Sequence, residues 1–374
     1  MKILNIIFSN AIGGESYVFG GISKHYGATE LIIYDRNKEM ISDKVYYPVR
    51  PALNLLIRLN REQGIFLSSI ISSLFLKRAF LKEFDFIILN SSSLTIPKFK
   101  GISVIMYTPP RALTDRSEIT KKKLRDAGIG KSILFTLMKG TLNILYRMSL
   151  HNSDNILCIS KNVRDRLLRY YRVSGKVFYL FVDVELFRYE RFGDYFLCVS
   201  RINEAKRQHL AIDAFKKFCN LKKGFRLIIA GTIDDTEWSS NYYEGLVDQA
   251  RGYPVEFIIS PTDEEVRNLY ANCYATLFAA ENEDFGLVPL ESMASFKPVI
   301  AFNEGGPKET VVDGETGFLV EGTEMMAQRM LYLVDNQEKA REIGINGRKF
   351  VEMEFSKKAF FARMDSTLGS RVPT

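Results

Sequence analysis

Two doubly wound α/β lobes are the fold that this sequence predicts, and three observations predict it. Short apolar, strand-like runs alternate with helical stretches through the first half of the chain. The same alternation starts afresh at Tyr195, and a polar, charged stretch at Phe187–Gly193 separates the two series. A chain of 374 residues, 46% of them hydrophobic, is too long for one ordinary core and has apolar material for two.

The runs of the first series are Lys2–Phe8, which stops at Gly13-Gly14 and passes into a helix, then Leu31–Tyr34, Phe86–Leu89, Val104–Tyr107 and Ile156–Ile159. Those of the second are Tyr195–Ser200, Arg226–Ala230, Ala275–Ala279 and Pro298–Ala301. Helices are expected over Gln208–Asn220, over Asp263–Asn272 and near Leu290–Ser295. Strands that alternate with helices form a parallel sheet with crossover connections, and ligands of such sheets lie at the carboxyl ends of the strands. A cleft shared by the two lobes is therefore the expected site. In Ile65–Leu76, the residues Leu67, Ile70, Ile71, Leu74 and Phe75 share one helical stripe, followed by Lys77, Arg78 and Lys82. A core-facing helix is expected there ahead of an interfacial one.

Composition excludes several classes. The four cysteines (Cys158, Cys198, Cys219, Cys273) have no CxxC spacing, which argues against a disulfide framework or a zinc site and for a reducing cytoplasm. His25, His151 and His209 lack metal-ligand spacing, and Asp234-Asp235 reads as a loop, so no metal is expected. The opening MKILNIIFSNAIGG lacks the layout of a signal peptide, and no window of eighteen apolar residues occurs. Charge is divided unevenly: residues 1–190 hold 29 Lys and Arg against 16 Asp and Glu, and the remainder holds 22 against 28. The first half is thus expected to meet something anionic, a membrane surface or a phosphate-bearing acceptor, with the Lys121–Lys123 and Arg125 cluster contributing. A nucleic-acid partner is not expected, because the basic residues are not interleaved with stacking aromatics.

Three short constellations carry chemistry. In Glu283-Asp-Phe-Gly-Leu-Val-Pro-Leu-Glu291 two glutamates flank a strand-to-helix passage, with Pro289 placed to open the helix and Glu291 in its first turn. A carboxylate accepts two hydrogen bonds from adjacent hydroxyls, which is how a ribose or hexose diol is recognised, and Gly286 lets backbone amides approach a sugar. An ordinary acidic helix start reads equally well from these residues alone. In Val199-Ser-Arg201-Ile-Asn-Glu-Ala-Lys206 two cations at a strand end can converge on a diphosphate and steady the charge that builds as it leaves. Gly13-Gly14-Glu15, between a strand and a helix, suits a phosphate or a plain tight turn; it is not GxGxxG, so the dinucleotide fingerprint is absent.

Taken together, the chain resembles the family-4 retaining glycosyltransferases of GT-B fold. The likeness is dense from Tyr195 to about Val320, through FLCVSRINEAKR, RLIIAG, the two-glutamate run, SMASFKPVIAFNEGGPKE and VVDGETGFLV. In the first half it rests on Gly13-Gly14-Glu15, Tyr107-Thr-Pro-Pro-Arg111 and Ser153–Ser160. The resemblance implies that Arg201 and Lys206 hold a donor diphosphate with the amides of Gly13-Gly14. It implies that Glu291 takes the nucleotide ribose, and that Glu283 with the amides of Phe285, Gly286 and Leu287 takes the transferred sugar. YTPPRALTD is similar to the HTPxRYxxD stretch of mannosyl- and hexosyltransferases that build surface glycans, which nominates Tyr107, Arg111 and Asp115 as acceptor-binding. Tyr107 stands where histidine is usual, Arg207 where glycine commonly follows the lysine, and Phe181-Val182-Asp183 lacks the usual proline or asparagine.

The expectation is two Rossmann-like lobes facing a cleft: an acceptor lobe at 1–188, with a terminal helix at 355–374 packing back on it, and a nucleotide-sugar lobe at 189–354. Catalysis is expected from Arg201, Lys206 and Glu283, with no obligatory cofactor. The reaction is hexosyl transfer with retention, from a UDP- or GDP-sugar to a glycan or lipid-linked acceptor, in the cytoplasm or peripherally on a membrane. The alternatives are a sugar-nucleotide 2-epimerase on the same fold and a basic nucleic-acid-binding protein.

Overall fold

The computed structural model describes residues 2–9, 14–34, 45–46, 81–90, 101–110, 114, 140, 143–234 and 236–369. They divide into two compact units, Met1–Tyr179 and Leu180–Thr374. The expected helix at 65–76 and the Lys121–Arg125 cluster lie outside the described residues.

The first unit runs β1 (Ile3–Ser9), α1 (Gly14–Tyr26), β2 (Thr29–Tyr34), β3 (Val45–Tyr46), β4 (Phe86–Asn90), β5 (Ile102–Met106), β6 (Asn155–Cys158), α2 (Lys161–Tyr171) and β7 (Lys176–Val177). The strands pair in parallel in the order β3-β2-β1-β4-β5-β6-β7. Strands of such a sheet are covered on both faces, so Ile87, Ile88 and Leu89, like Val104, Ile105 and Met106, are consecutive and all buried. This continuous burial is what makes them unbroken apolar runs in sequence. Asn5 is buried within β1; its Nδ2 donates to Phe19 O (3.0 Å) and Ser23 Oγ (2.8 Å), tying the strand to α1.

The second unit opens with β8 (Tyr195–Val199), a 3-10 turn (Glu204–Lys206), α3 (Gln208–Leu221), β9 (Arg226–Gly231), α4 (Glu237–Ala250) and β10 (Val255–Ile259). It continues with α5 (Asp263–Asn272), β11 (Ala275–Phe278), α6 (Leu287–Ala294), β12 (Val299–Phe302), α7 (Pro307–Thr310) and β13 (Phe318–Val320). Helices α8 (Thr323–Asp335), α9 (Gln337–Glu354) and α10 (Lys357–Gly369) complete it. The sheet is parallel, in the order β10-β9-β8-β11-β12-β13. The order reverses between β8 and β11, and at such a switch point the loops leaving neighbouring strands diverge and open a crevice. Phe196, Phe215, Phe218, Tyr274, Met330, Leu333 and Ile343 fill the core between sheet and helices. Helix α5 begins where the sequence places it because Thr262 and Glu265 form a capping box: Thr262 Oγ1 accepts from Glu265 N and Glu265 Oε2 accepts from Thr262 N.

Strands expected from sequence recur within one or two residues, as for Ile3–Ser9 and Tyr195–Val199. Strands β10 and β13 and helices α4, α8 and α9 have no counterpart among the expected elements.

Residues 180–193, the stretch that reads as a divider, are fastened to the second unit at every step. Phe181 packs its ring on Phe360 (4.9 Å between centroids) and Phe361 (5.9 Å), and Val182 N donates to Phe355 O (2.8 Å). Lys357 pairs with Asp183. One nitrogen of Arg348 donates to the carbonyls of Val184, Phe187 and Ala294 at 2.9, 3.1 and 2.6 Å. The fully buried Lys297 donates to Arg191 O, with its ammonium over the rings of Tyr189 (4.3 Å) and Phe192 (4.7 Å). Burial disfavours its charge and brings its pKa from 10.5 down to about 8.

Candidate active site

Beyond Val199 the chain turns at the carboxyl end of β8. Buried Gln208, the first residue of α3, fixes that turn: its Nε2 donates to Ser200 Oγ and Arg201 O, both at 2.8 Å. Arg201 is exposed at the turn and Lys206 is half-buried. Lys206 Nζ lies 2.5 Å from Glu283 Oε2, in the loop that leaves β11, with side-chain exposures of 21% and 25%. Such shielding makes the pair stronger than a surface ion pair. The backbone joins the same loops, since Glu281 N donates to Ala205 O at 2.8 Å.

The loop after β12 closes on these two. Gly306 N donates to Glu283 O at 2.7 Å. A Cβ on Gly305 would stand 2.3 Å from Glu283 O, and one on Gly306 would stand 2.1 Å from Phe285 O. The Gly-Gly pair is thus required for this approach, and Gly305 also has φ +61°. Arg207 binds all three loops through its side chain. One nitrogen donates to Glu304 Oε1 at 2.6 Å, and the other meets Glu281 Oε1 at 3.1 Å. Glu304 Oε2 in turn accepts from Asn282 N at 3.1 Å. Burial lowers the affinity of Arg207 for its proton, but Glu304 and Glu281 outweigh it and the pKa is raised. Arg207 has φ 50°, a left-handed backbone that costs a non-glycine residue about 1–2 kcal/mol.

Helix α6 starts at Leu287, with Gly286 as its N-cap at φ 87°. Glu291 is therefore the fifth helical residue, two positions deeper than Pro289 as an opening residue suggests, because the left-handed Gly286 starts the helix two residues earlier. The amides of Phe285, Gly286 and Leu287 lie at the helix entrance, where first-turn N–H groups have no partner within the helix. Phe285 itself is buried, its ring 6.0 Å from that of Phe355. Glu291 is partly buried, and its Oε2 accepts from the hydroxyl of buried Tyr270 at 2.9 Å. Burial raises the Glu291 pKa above 4.5; the Tyr270 hydrogen bond opposes this and Asp263 adds to it.

The structure thus brings Lys206, Glu283, Phe285, Gly286 and Leu287 to one end of the second sheet, with Arg201 at the turn before Lys206 and Glu291 on α6. Gly14 is the first residue of α1, immediately beyond the loop that leaves β1. Tyr107 follows β5, half-buried, its ring 6.0 Å from that of Phe19. Gly13, Arg111 and Asp115 lie outside the described residues, as does Asp235. Among the described residues no three His, Cys, Asp or Glu side chains are grouped to hold a metal. His209 instead shares a hydrogen bond of 3.1 Å with Tyr242 Oη. Sequence reasoning missed Glu281, Glu304 and Tyr270 as site residues, and noticed Arg207 only as a departure from glycine. Their partners lie 21 to 97 residues away in sequence, beyond the reach of any local pattern.

Residues 192–350 match the family described as Glycosyl transferases group 1. The α-1,3/1,6-mannosyltransferase ALG2 of Dictyostelium discoideum is 29% identical over 321 residues, covering 76% of this chain and 75% of its own. Human ALG2 is 28% identical over 309 residues, covering 75% and 71%. Among solved structures, HepE of Anabaena in complex with UDP and glucose superposes with a TM-score of 0.73 at 18% identity, over 99% of this chain and 100% of its own. The sucrose-phosphate synthase of Thermosynechococcus elongatus does so with a TM-score of 0.68 at 17% identity, over 99% and 98%. At these identities the superpositions speak for the fold, two parallel-sheet α/β units of GT-B type. A Glycosyl transferases group 1 domain thus lies within the second unit, and the chain is similar to ALG2 through three-quarters of its length.

Proposed function

We propose that this enzyme is a family-4 hexosyltransferase that transfers with retention from a nucleotide-sugar to a glycan or lipid-linked acceptor. The observation that carries the reading is the pairing of Lys206 with Glu283, with Arg201 on the turn before Lys206, where the β8, β11 and β12 loops are hydrogen-bonded together at the switch point of the second sheet. In this reading residues 189–354 hold the donor and residues 1–188 the acceptor, with Tyr107, Arg111 and Asp115 on the acceptor side and the Gly13-Gly14 amides reaching the diphosphate. Arg201 and Lys206 take the diphosphate, and Glu283 with the Phe285–Leu287 amides takes the hexose. Glu291 offers its second oxygen to the ribose while Tyr270 occupies the first. Mannose is the first hexose to test, because relatives aligned over three-quarters of the chain are named mannosyltransferases.

The chemistry follows from which carboxylates are engaged. Glu283 is held by Lys206, Glu281 and Glu304 by Arg207, and Glu291 by Tyr270. None of these is poised as a nucleophile for double displacement, which needs an uncommitted carboxylate beside the anomeric carbon. In the front-face alternative the bond from the anomeric carbon to the phosphate oxygen breaks as that to the acceptor oxygen forms. The acceptor proton passes to the departing phosphate, and Arg201 and Lys206 stabilise the charge that collects there.

Calorimetric titration with UDP and GDP, followed by UDP-glucose and GDP-mannose, tests the donor assignment. One nucleoside diphosphate is expected to bind, and its binding to weaken in Lys206→Ala. If neither binds, the donor reading is lost.

The surplus of 13 positive charges in residues 1–190 supports attachment to an anionic membrane, which would bring the enzyme to a lipid-linked acceptor. No helix among the described residues is long and apolar enough to cross a bilayer. Ile144 and Met148, 63% and 58% exposed, flank the exposed Arg147 and offer apolar contact beside charge. Basic residues near such a surface contribute about 1 kcal/mol each and are screened by salt. Co-sedimentation with anionic liposomes is expected at low salt and not with neutral ones. Equal partitioning into both would favour a soluble acceptor.

A further inference from the structure

We propose that Arg207 is a positioning residue for the transferred sugar. It sets the loop 281–286 against the loop 200–206 through Glu281 and Glu304. The inference rests on the reading of those loops as the hexose and diphosphate sites, and goes beyond it to a residue that touches neither ligand in that reading.

Five features of the structure lead to it. Arg207 sits directly after Lys206 and is the residue that passes from the 3-10 turn into α3, so its side chain starts from the diphosphate loop itself. It takes carboxylates on both other loops, Glu281 after β11 and Glu304 after β12, at 3.1 and 2.6 Å. Glu304 relays this hold to the backbone, because its other oxygen accepts from Asn282 N, the residue before Glu283. Asn282 itself has φ 42°, so the loop adopts an unfavourable backbone at the point where Glu304 grips it. Finally, Arg207 occupies a left-handed conformation at φ 50°, where glycine would be unstrained. An arginine is placed there at a conformational cost, and the return visible in the structure is the guanidinium fork across two carboxylates.

Besides the Lys206–Glu283 ion pair, the loop holding Glu283 is fastened by Glu281 N to Ala205 O, by Gly306 N to Glu283 O, and by the Arg207 network. The first two are single backbone hydrogen bonds, while the third joins all three loops at once. Without it Glu283 and the Phe285–Leu287 amides would sample a wider range of positions. A small misplacement of groups that must meet a developing transition state is costly in rate.

The test exploits the backbone. In Arg207→Gly the left-handed turn becomes unstrained, so the melting temperature should change little while the side-chain network is lost. Hydrogen exchange on the ligand-free protein is expected to quicken at the amides of Glu281, Asn282 and Gly306 by about ten-fold or more, with β8 and β9 unchanged. UDP or GDP, whichever binds the wild type, should keep its affinity, because the diphosphate loop is still held by Gln208. The added affinity of the matching UDP-glucose or GDP-mannose over its free diphosphate should disappear. The kcat for donor turnover should fall by up to about 10²-fold with a smaller change in KM. Glu304→Ala should act in the same direction, and the Arg207→Gly/Glu304→Ala double variant should be far from additive.

Unchanged exchange at those amides would overturn the proposal. So would faster exchange with sugar-nucleotide affinity and kcat intact, since Arg207 would then be a strap with no bearing on the sugar. The donor-site reading fails by a different signature: neither UDP nor GDP binds the wild type, or Lys206→Ala leaves binding untouched. That result would remove the proposal along with its foundation.

Discussion

Lys206→Ala is expected to lower turnover by about 10²-fold or more, the scale for losing one stabiliser of transition-state charge, and Arg201→Ala to do likewise. The two cations leave one strand end five residues apart, and the shape of the turn is held independently of either by buried Gln208. Their removal should therefore leave the fold intact. Lys206 carries a second consequence because it already faces Glu283 at 2.5 Å. Its loss leaves a half-buried carboxylate without that partner, which by itself costs free energy. The Lys206→Ala/Glu283→Ala double variant should accordingly fall short of the sum of its parts. Steady-state kinetics on whichever sugar-nucleotide the wild type consumes, with circular dichroism as the control for folding, measures all of this. Near-normal turnover in both single variants would remove the diphosphate role.

The two glutamates should separate. Glu291→Ala is expected to weaken binding of the free nucleoside diphosphate, while Glu283→Ala is expected mainly to slow transfer, by about 10²-fold if it contacts the ring that changes shape. A ribose hydroxyl reacts in neither state, so its contact is felt equally in ground and transition states. Calorimetry distinguishes the two, and loss of affinity in Glu283→Ala with retention in Glu291→Ala would reverse the roles. A pH dependence follows as well. Burial raises the pKa of Glu291 in the folded state, and the ionised form accepts ribose hydroxyls best. Affinity should therefore fall on acidification at a pH above the ordinary glutamate range. For stability the sign is opposite: a raised folded pKa contributes most below the unfolded value and is lost as pH rises through the folded one. At neutral pH Glu291→Gln should then melt higher than the wild type while binding nucleotide less well.

Legibility in the sequence followed burial. Strands covered on both faces, such as Phe86–Asn90 and Tyr195–Val199, stand out as apolar runs between polar punctuation. The edge strand β10 does not, because Val255–Ile259 has no fully buried residue and follows Pro254, so its pattern resembles a loop. Helix α4 is hidden for a related reason: it buries only Ser239, Leu246 and Ala250, too few to make a stripe among its serines and tyrosines. In the candidate site, the spacing of Glu283 and Glu291 and the Arg201–Lys206 pair were readable because each lies within one strand-to-helix passage. The Arg207–Glu304 bridge spans 97 residues, and its only local trace is a bulky residue where glycine would be at ease.

The fastening of residues 180–193 has a consequence for recombination between relatives. Arg348, Lys297 and Lys357 find their acceptors on this segment, at Val184 and Phe187, at Arg191 and at Asp183. A chimaera joined at 188/189 would present Arg348 and Lys357 with a foreign stretch of backbone and a foreign side chain at position 183. Joined at 179/180 it would inherit the segment together with the cations that read it, and the crossover point thereby becomes a matter of molecular fit.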